Sequence, residues 1–253
     1  MKKNNLYDFL IVLLLLIAAS AFPFNYIIKD VLICDILKIV LLVAVYVFNI
    51  WFIKNKTNLE FNFGNLDKKY LILSIPAFLF CFTNFSFYFV DKSAFGSFSF
   101  ENSFIVNVFS CIVVSLNEEL IFRVVLLQNL NYKNKLVNVL VASGTFALCH
   151  IVTFIASRFN PQALVQVGYT FVFGLVLSSV YIFTNSYIYC VLMHFLFNLF
   201  NNEIFSKLIS KTLWGEFSYY LCNAVTGLIV LGYIAALWIY FYKTKKDVSY
   251  EKN

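Results

Sequence analysis

The chain has 253 residues, of which 61% are hydrophobic and 13% charged, with a formal charge of +6. Soluble domains carry about a quarter charged residues, so the composition excludes an ordinary soluble enzyme. The lysines flank apolar runs and build no basic patch, which argues against a nucleic-acid partner.

The apolar residues come in long runs, and a spanning helix needs ~20 of them. Eight spans are predicted, at roughly 8–24, 31–53, 70–90, 104–129, 136–157, 161–183, 187–206 and 218–242. They predict an all-α fold: one polytopic membrane bundle occupying residues 1–253. The first span opens "MKKNNLYDFLIVLLLLIAASAF", which has the basic start and small-residue finish of a signal peptide. The apolar run continues through Phe22 and Phe24, which predicts a retained anchor helix. Lys54–Lys69 and Asp91–Ser103 read as the longest loops. With N and C termini both cytoplasmic, twelve lysines fall on inner segments and five basic residues on outer ones. That asymmetry favours this orientation. Trp51, Trp214 and Trp238 fall near predicted span ends, as interfacial belts do. The six cysteines are scattered singly, without zinc-ribbon or CxxC spacing, and predict reduced thiols.

The fourth span carries "NEELIFR", residues 117–123. Charge within a membrane is expensive and often functional. Glu119 and Arg123 stand i,i+4 on a helix, with the acid on the favourable side, so they can pair. Glu118 points about 100° away and lacks that partner. The bland reading is a solvated helix end.

The two histidines weigh against that. His150 lies in "GTFALCHIVTF" with Phe146 one turn before it. His194 lies in "VLMHFLFNLF" with Asn198 one turn after it. An amide in hydrocarbon needs a partner. A carboxylate, two imidazoles and an amide are the groups that activate water and hold an oxyanion. There is no HExxH and no GxGD, and no rhomboid-type serine signature.

The ordered set EExxxR (Glu118, Glu119, Arg123), FxxxH (Phe146, His150) and HxxxN (His194, Asn198) resembles the CPBP family of intramembrane proteases. This is the CAAX-protease and bacteriocin-processing, or Abi, family. The resemblance covers residues 118–198, within a motif region taken as 104–206. It implies an intramembrane endopeptidase acting on a peptide or membrane-protein substrate in the bilayer. Glu118 would be the base, activating water with His150. His194 and Asn198 would hold the oxyanion. Glu119, Arg123 and Phe146 would support the motif helices. The family is often called metalloprotease, and the metal alternative puts zinc on Glu118, His150 and His194. The metal-free reading is preferred because it leaves Asn198 a role.

The composition, rich in Lys, Asn, Phe and Ile, looks like a low-GC bacterium, where a prenylated substrate is not expected. The roles implied are peptide maturation or bacteriocin self-immunity at the bacterial cytoplasmic membrane. Two other classes compete. A non-catalytic membrane regulator or immunity protein would retain the fold without the chemistry. A transporter would use the same groups as a proton relay, but such folds usually show repeats and broken helices. The site is expected in the inner half of the membrane, reached through a cytoplasmic cavity.

Overall fold

A computed structural model describes residues 6–57, 59, 61, 63, 102–130, 132–151, 161–200, 225, 227–240, 242 and 243. Among these, all regular structure is helical. Helix α1 is Leu6–Ser20, α2 Phe24–Ile27, α3 Val31–Lys56 and α4 Asn102–Glu119. A π-helical segment, Leu120–Leu126, and a last turn α5, Leu127–Asn129, extend α4. Then come α6 Lys135–Cys149, α7 Pro161–Thr184, α8 Tyr187–Phe200 and α9 Gly227–Tyr240.

Four helical stretches are long and apolar enough to cross a membrane: Leu6–Ile27, Val31–Lys56, Phe104–Asn129 and Gln166–Thr184. Helices α6, α8 and α9 are apolar but shorter within the described residues. They overlap the predicted spans at 136–157, 187–206 and 218–242. The predicted span 70–90 lies outside the described residues, so eight spans remain an expectation. Exposed Leu10, Leu14, Val40, Val47, Leu228 and Ile229 give the outer helices apolar walls. Lipid accepts such walls only because the helix backbone satisfies its own hydrogen bonds.

Local chemistry fixes the helix ends. Asp30 caps α3 by accepting from the Ile33 N–H at 3.1 Å. Asn134 caps α6 by accepting from the Leu136 N–H at 2.9 Å. Such caps satisfy N–H groups that the first turn leaves over. Asn185 turns the chain from α7 into α8 with φ 49°, and its N–H donates to the Tyr181 carbonyl at 2.8 Å. Asparagine tolerates that left-handed conformation better than most residues.

Side-chain pairs set the helix directions. Arg123 meets Ser178 and Gln128 meets Tyr181, so α4 with its extension runs parallel to α7. Glu119 meets His194 and Ser115 meets Asn198, so α8 runs antiparallel to α4. The Asn117 amide donates to the Leu42 carbonyl at 3.0 Å, which joins α4 to α3. Just past α3, the Phe63 carbonyl accepts from the Ile188 N–H at the start of α8. The end of α3, with Lys54 and Lys56, therefore shares one end of the bundle with Lys133 and Lys135.

Helix α7 approaches α6 closely at Gly174. A Cβ there would lie 3.1 Å from the Ser143 Cα and 3.3 Å from the Phe146 ring. Glycine thus lets α6 press against α7, which holds Phe146 in place. At Gly168, by contrast, there is open space. Trp238 departs from the interfacial role expected of it. It is buried on α9, and its indole N–H donates to the Ser179 hydroxyl at 3.0 Å. A buried indole needs such an acceptor, and α7 supplies one.

Candidate active site

The acidic pair straddles a change of helix type. Glu119 is the last residue of α4, and the seven residues after it are π-helical and all buried. The Leu127 N–H bonds back to the Phe122 carbonyl, five residues earlier. Insertions of this kind recur at functional sites.

Glu119 is fully buried and held from two sides. Arg123 Nε donates to its Oε2 at 2.8 Å, and His194 Nδ1 lies 2.7 Å from its Oε1. Arg123 is fully buried as well. Its Nη1 donates to the Ser178 hydroxyl at 3.0 Å, and Ser178 lies 3.3 Å from the Ser143 hydroxyl. Ser143 donates to the Val139 carbonyl at 2.7 Å. The guanidinium also lies over the Phe146 ring, 5.1 Å from its centre. A buried charge is tolerated only when paired and hydrogen-bonded in this way.

Glu118 has different surroundings. Its side chain keeps 19% exposure, and Oε2 lies 3.6 Å from His194 Nε2. Facing a carboxylate, His194 Nδ1 is the donor, so Nε2 is the nitrogen left toward Glu118. His150 is fixed from the other end: its Nδ1 lies 3.0 Å from the Phe146 carbonyl. A carbonyl only accepts, so Nδ1 carries the proton and Nε2 keeps a lone pair. Phe146 stands edge-on to both imidazoles, with centroids 5.0 Å from His150 and 5.9 Å from His194. The Asn198 amide donates to the Ser115 hydroxyl at 3.4 Å, which answers its need for a partner.

A cavity of about 320 Å³ adjoins these groups, lined by Phe146, His150, His194 and Asn198 among others. Glu118 is not one of its walls and reaches it by way of His194. Among the described residues the ion-pair partner of Glu118 is His194. The lining residues come from the first half of α4, the start of α7 and the ends of α6 and α8. The cavity therefore extends away from the lysine-bearing end, toward the start of α4 and of α7.

The zinc alternative needs Glu118, His150 and His194 to converge on one point. Among the described residues no three His, Cys, Asp or Glu side chains gather in that way. The residues present do not assemble the ligand set.

Sequence reasoning missed Ser115, which accepts from Asn198, and Ser178 with Ser143 beyond it, the first of which accepts from Arg123. It also missed Asn107, Ser110, Gln166 and Thr170 on the cavity wall. Their signal was present as polar residues at i, i+3 and i+4 in otherwise apolar spans.

Residues 100–200 match the family model described as type II CAAX prenyl endopeptidase Rce1-like. That match supports a CPBP/CAAX-protease family assignment for the segment. The match contains all three motifs and every residue of the site above. No curated protein and no solved structure matches the chain significantly. The match and the apolar helices together support a CAAX-protease-like membrane protein.

Proposed function

We propose that the chain is an intramembrane endopeptidase in which Glu118 is the general base. One observation carries this. Of two adjacent carboxylates, Glu119 is spent on Arg123 and His194, while Glu118 keeps a free edge at His194 Nε2 beside a cavity.

Glu118 takes a proton from a water, and the water oxygen attacks the peptide carbonyl carbon. The electron pair of the C=O bond moves to oxygen. Glu119 holds His194 in one orientation and stabilises it when protonated, as a buried carboxylate does for a catalytic histidine. The proton taken by Glu118 is shared with His194 Nε2 beside it, and that Nε2–H and the Asn198 amide donate to the oxyanion until its collapse sends the proton back to Glu118. His150, with its Nε2 lone pair free, accepts a hydrogen bond from the water. As the oxyanion collapses, the C–N bond breaks and Glu118 returns its proton to the leaving amine.

The shared lysine-bearing end supports cytoplasmic termini. The substrate we infer is an unprenylated peptide, and the biological role is peptide maturation or bacteriocin self-immunity in a bacterial membrane. The test is cleavage of a fluorogenic peptide panel by the purified full chain beside Glu118→Gln. Loss of cleavage in a folded variant supports the reading. Equal cleavage by both proteins rules it out and favours a membrane regulator that retained the fold.

A further inference from the structure

The walls of the cavity above the charged motif follow one pattern. Helix α4 contributes Asn107, Ser110, Cys111 and Val114, and α7 contributes Gln166, Tyr169, Thr170 and Phe173. Both sets have the spacing i, i+3, i+4, i+7, which is one face of a helix. The two helices run parallel, so the two stripes run the same way along the cavity. In each, the first member is a primary amide and the last is apolar. Asn107 and Gln166 therefore share the same end of the cavity, and Val114 and Phe173 lie nearer the histidines.

Among the described residues neither amide has a hydrogen-bond partner, although both stand within apolar helices. Leaving such groups dry is costly. A primary amide offers one acceptor oxygen and two N–H donors, complementary to a main-chain N–H and C=O. Ser110 and Thr170 add hydroxyls one turn further in. Eleven residues separate Asn107 from Glu118, about 16 Å at a helical rise of ~1.5 Å per residue. An extended peptide covers that length in about five residues, at ~3.3 Å each. A prenyl chain would gain nothing from two amides and two hydroxyls.

We propose that Asn107 and Gln166 form a main-chain clamp that holds an extended, unprenylated peptide about five residues from the scissile bond. The peptide comes from the end of the bundle opposite Lys54, Lys56, Lys133 and Lys135. This rests on the peptidase reading and names its substrate class. A clamp on the main chain is indifferent to side-chain sequence, so a mixed library is a fair probe.

The experiment uses the full-length Glu118→Gln protein in detergent, which binds without cleaving. Anisotropy of a fluorescein-labelled mixed octapeptide library is titrated, with unlabelled library and farnesyl-cysteine methyl ester as competitors. Saturable binding is expected, displaced by the peptides and not by the farnesyl compound. Adding Asn107→Leu and Gln166→Leu should weaken it at least tenfold with an unchanged melting temperature. If that double variant melts early, Asn107→Asp with Gln166→Glu replaces it, since it keeps the shape and loses the donors. No saturable binding, displacement by the farnesyl compound, or full affinity without the amides each overturns the clamp. Peptide bound here but left intact by the unsubstituted protein would remove the peptidase reading and leave the clamp standing.

Discussion

Glu118 and Glu119 are neighbours in sequence and opposites in structure. Glu119 is dry and held from two sides, by Arg123 and His194, with the Ser178 and Ser143 hydroxyls beyond. Around Glu118 there is one loose contact at 3.6 Å and some exposure. The comparison shows that a residue's type sets what it can do, while its partners decide whether it is free to do it. The Glu119 side is a scaffold and the Glu118 side is where a proton can move.

Substitutions on the two sides should fail in different ways. The largest effect is expected at Glu118. Glu118→Gln should lower the cleavage rate about 10⁴-fold, as losing a central catalytic group does elsewhere. Its thermal unfolding in detergent should match the unsubstituted protein. If it unfolds early, the two sides are not separate.

Next comes Arg123→Met, which leaves the buried Glu119 charge facing only His194. Breaking a buried pair from one side costs about 3–5 kcal/mol. The expected outcome is loss of folded protein, read as aggregation on size exclusion in detergent. A well-folded, active Arg123→Met would erase the distinction drawn here.

Asn198→Ala sits on the cavity side. Removing an oxyanion donor costs ~10²–10³ in rate. The cleavage rate should fall by that factor while the melting temperature barely changes, since one 3.4 Å hydrogen bond to Ser115 is lost.

Gly174→Ala tests the scaffold more gently. Its Cβ would press on Ser143 at 3.1 Å and on Phe146. Overpacking of this kind costs about 1–3 kcal/mol. It should lower the melting temperature and, by moving Phe146, also the rate. The smallest effect is expected at Trp238→Phe, which does not line the cavity. It loses one hydrogen bond to Ser179, worth about 1 kcal/mol, and should leave the rate alone.

Much of the site was legible in the sequence because charge and amide are conspicuous in hydrocarbon. The i,i+4 spacing alone predicted that Glu119 pairs with Arg123, and the ion pair is present at 2.8 Å. The helical character of 31–53, 104–129 and 161–183 followed from apolar length. Other features were not legible. Nothing in "LIFRVVL" announces a π-helix, because its residues suit an α-helix equally well. Nor could spacing tell that Trp238 turns inward, since an indole serves an interface or a buried acceptor alike.

The sequence by itself determined a helical membrane protein with three polar motifs on three helices, because hydropathy and residue type are local properties. Only the tertiary structure decided which partners each polar group received. It placed Glu119 against His194, 75 positions away in the chain, and so gave that carboxylate a second bond. It brought Ser178 to Arg123 across 55 positions, and aligned two amide-topped stripes around one cavity. These outcomes depend on how helices cross and how closely they approach, as at Gly174. Such packing belongs to the assembled bundle and to no single stretch of the chain.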